Sequence, residues 1–429
     1  MQVPDSARPI YKSLSDICFY DEKLNGDEFV GIKHENGKLS VHFPLGYRPG
    51  STEQEIRKDI LNLISVLSSF ADKGSFIHES AGRNKLKQFP IHAYMFVISN
   101  YFSKGYFTQK ETIYKPSSSG RINWNRTIKH IQPKISADSV FYLDFIRKHI
   151  SHNENELITE IHKYCVYESF SKIGYLFTSF IPAKPTLDFN YKLFRAVVQA
   201  QISQTFNEND LLLFYNLMEI IEYLDSEDSS KFFYYGTYHF EHIWERMIDA
   251  IYGISDKEKF YPKCKWILFA DDGSENELTY KNDIFKKYSL RPDTIMITDR
   301  GKEGQKIFVL DSKYYKYGVS NESYDLPGTD SIIKQIAYAE FIENRPVSIP
   351  LDVLKSLDNN KIFNAFILPY DSHNGQPMVK FGYSTSEHKN NNDKPYNKIY
   401  GILLDVKSIM YRHVHSDNAI KHLAEMIEK

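Results

Sequence analysis

Residues 291–313 read as two short apolar strands joined by a polar turn with Gly301 and Gly304, and their charged residues gather where the strands come back together. The first strand follows Asp293 and the second runs into Asp311-Ser312-Lys313. Side chains alternate along a strand, so Ile307, Val309, Asp311 and Lys313 share one face, and a carboxylate and an ammonium project side by side from the end of an apolar strand. Two carboxylates brought together across such a hairpin can hold a divalent cation through oxygen. A neighbouring lysine can then orient a water or offset charge on a phosphate. The rest of the chain has to build a core beneath that polar end.

The chain has 429 residues, more than one compact core accommodates, and its 42% apolar content is ample for two or three. The net charge of −2 gives no global affinity for nucleic acid, so any such surface has to be local. The charge is uneven: residues 81–135 hold ten Lys or Arg and one acidic residue, Glu111, whereas residues 207–228 hold seven Asp or Glu and no Lys or Arg. Cys18, Cys165 and Cys264 are isolated from one another, which suggests neither a zinc ribbon nor a disulfide scaffold. With no apolar signal core and no apolar run of membrane length, the expectation is a soluble cytoplasmic protein without a membrane partner.

Residues 31–43 predict a hairpin turning at Asn36-Gly37. Thr52 and Glu55 then form a capping-box pattern ahead of a helix whose apolar stripe is Ile56, Ile60, Ile64 and Leu67. In the basic segment a Pro-Ser-Ser-Ser-Gly loop leads into Arg121, Trp124, Arg126 and Lys129. These four either lie against a phosphate backbone, or Trp124 anchors a core and the cations are solvated or paired. Residues 136–230 predict mainly helices, and the polar run 225–230 marks a boundary between an N-terminal region, 1–230, and a C-terminal domain, 231–429. From Phe240 a helix follows with Glu241 and Glu245 one turn apart on the same face. After the hairpin come a helix over 330–341 bearing Lys334, Gln335 and Tyr338, strands near 362–368, 378–383 and 399–404, and a closing helix near 418–427. The expected fold class is α/β, or α+β by domain: a C-terminal mixed sheet flanked by helices, preceded by an α+β, largely helical region.

An acidic residue two positions before a lysine occurs four times, at Asp21, Asp311, Glu387 and Asp405. Only Asp311 has a second strand led by a Pro-Asp pair at hairpin spacing. Pro4-Asp5 precedes Asp21 at a similar distance, but Ser6-Ala7-Arg8-Pro9 cannot continue as a strand.

Pro292-Asp293 with Asp311-Ser312-Lys313, in helix, hairpin, helix order, resembles the signature of the PD-(D/E)xK nuclease superfamily, with aspartate where glutamate is more usual. Residues 120–128, Phe240-Glu241 to Glu245, and Lys334 to Tyr338 are similar to elements of LlaJI-type restriction endonucleases and, more loosely, of McrC-like subunits. The resemblance implies a restriction-endonuclease-like C-terminal core that hydrolyses DNA with Mg²⁺, or Mn²⁺ in its place. Asp293, Asp311 and the Ser312 carbonyl would hold the metal and Lys313 would position the attacking water. Glu241 or Glu245 would complete the site, spacing not deciding between them, and Gln335 would orient the lysine or a phosphate. The implied partners are double-stranded DNA read by residues 1–230, a second copy for cutting both strands, a restriction subunit or NTPase partner, and a cognate DNA methyltransferase. The chain has no Gly-x-x-x-x-Gly-Lys-Ser/Thr phosphate loop of its own. The alternatives are a McrC-like nuclease subunit driven by a separate NTPase, and a non-catalytic DNA-binding module.

Overall fold

The computed structural model describes residues 13–20, 29–35, 38–70, 89–136, 139–153, 156–178, 180–225, 232–262, 266–270, 272–278, 290–372, 375–387, 394–412 and 414–429. The expected Asn36-Gly37 turn, the polar run 226–230, the 390–392 asparagines, Asp5, Asp21 and Cys264 lie outside them. Among the described residues, those within Lys87–Phe233 form one compact unit, and those within Ile10–Leu86 and Tyr234–Lys429 form another. The described residues change unit between Phe233 and Tyr234. The described residues between 13 and 70, which the sequence division groups with the N-terminal region, belong to the same unit as the C-terminal domain.

The second unit is built on a five-stranded mixed sheet. Its elements are helix α1 (Phe240–Tyr252), strands β1 (Thr294–Thr298) and β2 (Lys306–Ser312), helix α2 (Thr329–Glu343), strands β3 (Ile362–Tyr370), β4 (Met378–Ser384) and β5 (Ile399–Asp405), and helices α3 (Val406–Tyr411) and α4 (Asp417–Glu428). The strand order is β1-β2-β3-β5-β4. The β1/β2 pair is antiparallel, β2/β3 and β3/β5 are parallel, and β5/β4 is antiparallel. Parallel neighbours need crossovers, which α2 supplies between β2 and β3. Ile295, Ile307, Val309, Ile336, Ala339, Ile342 and Ile362 make one continuous core. This is the α/β architecture expected from the sequence, with helices flanking a mixed sheet.

The described residues between 13 and 70 join this unit through a buried charge. Helix Glu53–Phe70 follows the expected capping box, in which Glu55 N–H donates to Thr52 Oγ1 at 3.3 Å and Thr52 N–H to Glu55 Oε2 at 3.0 Å. Within its apolar stripe Asp59 is 1% exposed. Its carboxylate accepts from Tyr47 Oη (2.8 Å), Tyr411 Oη (2.8 Å), the Gly50 N–H (2.7 Å) and Lys407 Nζ (2.7 Å). A buried carboxylate so fully satisfied ties the N-terminal helix to α3, because removing Lys407 would leave its charge uncompensated and removing a neutral donor would cost it a hydrogen bond. The network also disposes of a sequence decoy: Lys407 is spent on Asp59, while Asp405 caps α3 by accepting the Ser408 N–H at 2.8 Å.

The first unit carries helices Ile91–Lys104, Leu157–Ile173, Tyr191–Gln204 and Glu208–Leu224 beside an antiparallel sheet in which Ile146–Asn153 pairs with both Gln109–Pro116 and Arg121–Ile122. The Pro-Ser-Ser-Ser-Gly loop is held by Arg147, which donates to the Ser117 carbonyl at 2.9 Å and the Gly120 carbonyl at 2.7 Å. Gly120 has φ +102°, and a Cβ there would meet the Lys148 carbonyl at 2.9 Å, so the turn requires glycine.

Candidate active site

The hairpin brings its two aspartates together. Thr294 pairs with Leu310, so one further step of the register sets Asp293 against Asp311. Asp293 Oδ2 accepts the Ser312 N–H at 2.9 Å. Its own carbonyl accepts Lys257 Nζ at 2.7 Å, and Lys257 is paired in turn with Asp249 of α1 at 2.6 Å. Asp311 is 8% exposed, and its Oδ2 lies 2.8 Å from Lys313 Nζ. The Lys313 N–H extends the parallel ladder onto the Ile367 carbonyl at 2.9 Å, and that carbonyl also accepts the Trp244 indole N–H at 3.4 Å. Helix α1 and the lysine thus share one anchor on β3.

Glu241 and Glu245 separate here. Glu245 shares its surroundings with Asp311 and Lys313: burial and then the Asp311 charge raise its pKa, while His242 and Lys313 oppose the rise. Glu241 turns to His239, its Oε1 lying 2.9 Å from His239 Nδ1. The structure therefore gathers Asp293, Asp311, Glu245 and Lys313 and leaves Glu241 outside the group.

Burial, then Asp311, then Glu245 push the Asp293 carboxyl up to about 8, against the pull of the Ser312 N–H and Lys313. Burial works against the Lys313 ammonium, but the Asp311 and Asp293 carboxylates outweigh it and raise its pKa. Three carboxylates crowded around one lysine repel one another when ionised, and a divalent cation relieves that repulsion. The Ser312 hydroxyl is buried without a hydrogen-bond partner at the same strand end.

Gln335 does not reach for the lysine with its amide nitrogen. It is 1% exposed, and its Nε2 donates to the Val309 carbonyl at 2.7 Å, bracing the strand that carries Asp311. One turn along the same helix is Tyr338, whose pKa is pushed up to about 12 by burial and then by Asp311 and Asp293, and whose hydroxyl bonds to the Arg291 main chain. Sequence reading placed Tyr338 beside Lys334 and Gln335 on the helix without assigning it to the site; that shared helix face was the available signal. Lys334 is on the solvent side, 3.5 Å from Asp330.

In the other unit Trp124 is 54% exposed and meets Phe145 edge-on at 5.6 Å, so it is not a core anchor. Arg126 lies 4.0 Å over the Tyr114 ring, Arg121 and Lys129 are exposed, and Asn123 caps the short helix by accepting the Arg126 N–H at 3.0 Å.

The profile of the LlaJI restriction endonuclease family matches residues 29–384. The chain belongs to that family. It is also 24% identical over 251 residues to the type II restriction enzyme BsuMI component YdjA of Bacillus subtilis, over 56% of this chain and 51% of the relative, so it spans about half the length of that protein. A solved half-complex of Thermococcus gammatolerans McrB AAA+ hexamers with bound McrC is similar at a TM-score of 0.33 and 12% identity, covering 93% of this chain and 82% of that one. At that score the likeness fixes neither fold nor partner. No helix among the described residues is long and apolar enough to cross a membrane.

Proposed function

We propose that this member of the LlaJI family is a Mg²⁺-dependent endonuclease of the PD-(D/E)xK kind that hydrolyses phosphodiester bonds of double-stranded DNA at specific sites. The convergence of Asp293, Asp311, Glu245 and Lys313 at one strand end carries this reading. Asp293, Asp311, Glu245 and the Ser312 carbonyl would hold the cation, an all-oxygen set that suits Mg²⁺ and, in its place, Mn²⁺. When bound, the metal supplies Lewis acidity toward the scissile phosphate and lowers the pKa of a coordinated water.

The chain's own contribution is positional and electrostatic. Lys313, held by Asp311 and by its main-chain bond to Ile367, places an ammonium where negative charge accumulates on the phosphate and donates to the incoming water. Glu245 presents its carboxylate from a separate element, so the distance between helix α1 and the hairpin sets the width of the site. In the first unit Arg121, Arg126 and Lys129 supply phosphate contacts, and the half-exposed Trp124 a stacking surface.

A second reading follows from the relative, which is described as one component of a restriction enzyme. In it the chain cuts only together with a partner restriction subunit, with or without a nucleotide-driven motor. Two nicks are needed for a double-strand break, so transient pairing of two copies fits either reading. A cognate DNA methyltransferase would protect host sites.

Incubating the purified protein with unmodified plasmid, Mg²⁺ and no NTP separates the readings. Discrete fragments that vanish with EDTA are the expected result. Fragments only after adding a partner chain support the subunit reading, and cleavage undiminished by EDTA would overturn the metal-dependent mechanism.

A further inference from the structure

The start of helix α1 carries a group of side chains that the nuclease reading leaves unused. His239, Glu241 and His242 each present one ligand atom, and these atoms all lie within 4.8 Å of one another. The arrangement follows from the helix start. Phe240, 2% exposed, is buried between the three, and the His239 N–H donates to Thr237 Oγ1 at 2.9 Å, so the flanking positions are turned outward on one side of the first turn. The two imidazoles stand 5.9 Å apart between ring centroids.

We propose that His239, Glu241 and His242 form a second metal site, one that takes a divalent transition cation of the Zn²⁺ class rather than Mg²⁺. Two imidazole nitrogens and one carboxylate oxygen are the donors such cations favour, whereas Mg²⁺ takes oxygen and water. Four ligands about 2.0–2.2 Å from a tetrahedral Zn²⁺ sit roughly 3.3–3.6 Å apart, a spacing this cluster reaches by small side-chain rotations. The exposure of the histidines, 59% for His239 and 60% for His242, leaves room for an exchangeable fourth ligand. A second feature points the same way: Glu241 Oε2 is shielded from solvent and has no hydrogen-bond partner, so one carboxylate oxygen lacks the donor or cation that burial calls for.

The positive end of the helix dipole disfavours a cation here. The Glu241 charge and Glu245, one turn further on, offset it. Since His242 Nδ1 also lies 3.8 Å from Glu245 Oε2, a cation held by His242 would fix the residue next to the nuclease carboxylates without entering their site.

The test uses untagged full-length protein titrated with Co²⁺, followed by Zn²⁺ competition against a chromophoric chelator. The wild type is expected to develop, with one equivalent, visible ligand-field bands stronger than those of aqueous Co²⁺ and than those of any further Co²⁺ held by the oxygen-only carboxylate site, and Zn²⁺ is expected to displace the ion that gives them. The H239A/H242A double variant, altered only at exposed side chains, should lose the bands while keeping the wild-type circular dichroism spectrum. Glu241→Gln should weaken them, and Asp293→Asn should keep them in full. The absence of bands in the wild type, or bands undiminished in H239A/H242A, would overturn the proposal. Loss of the bands in Asp293→Asn alone would also overturn it, by moving the ion to the nuclease carboxylates; the nuclease reading would stand in every case.

Discussion

Lys313→Ala is expected to slow DNA cleavage about 10²- to 10³-fold under whatever conditions the wild type cuts, the loss typical of removing one preorganised donor from a developing anion. The substitution removes the Nζ that lies 2.8 Å from Asp311 and leaves the oxygen donors in place. Metal-induced stabilisation should therefore survive while turnover collapses. Single-turnover cleavage rates and melting curves with Mg²⁺ read the two effects separately. A variant that cuts at the wild-type rate would remove Lys313 from the chemistry.

Trp244→Ala should cost about 3–5 kcal/mol of unfolding free energy, as expected when a fully buried aromatic is cut back to alanine. More than volume is at stake. The Trp244 indole donates to the Ile367 carbonyl that also accepts the Lys313 main chain, and Trp244 adjoins Glu245 on α1. Trp244→Phe keeps most of the packing and loses that hydrogen bond, for about 1 kcal/mol. Urea denaturation of both variants measures the difference. Equal, small losses in the two would mean that α1 is not anchored through this residue.

The hairpin and its charged end were legible because strand alternation and turn residues act locally. The same holds for the capping box at Thr52 and Glu55 and for the apolar stripe that follows it, each set by neighbours within a turn or two. What the sequence left open depends on distant contacts. Glu241 and Glu245 share a helix face, and only the way Trp244 seats α1 against β3 brings one of them to the aspartates and leaves the other with His239. The packing of helix Glu53–Phe70 with the C-terminal domain rests on Asp59, whose partners Lys407 and Tyr411 are far away in sequence. An aspartate inside an apolar helical stripe was the visible sign. Gln335 has the spacing expected of a site residue, but its amide N–H is consumed by the Val309 carbonyl, a geometry no helical pattern encodes.

The central claim, that the carboxylates around Lys313 are a metal site, is tested most directly by melting temperature as a function of pH and Mg²⁺ in the wild type and Asp293→Asn. A carboxyl raised on folding to about 8 favours the native state below the ordinary carboxyl range, and that contribution is lost as pH climbs toward 8. His42 and His162, pushed down to about 4 by burial, are neutral folded or unfolded above about pH 7.5 and add no slope there. Metal-free wild type should therefore melt lower at pH 9 than at pH 7.5, and Asp293→Asn should lack that part of the decline. Binding only the native state stabilises it by mass action, so about 10 mM Mg²⁺ should raise the wild-type melting temperature more at pH 9 than at pH 7.5, and more than that of Asp293→Asn. Equal Mg²⁺ shifts in the two proteins at pH 9 would contradict the assignment.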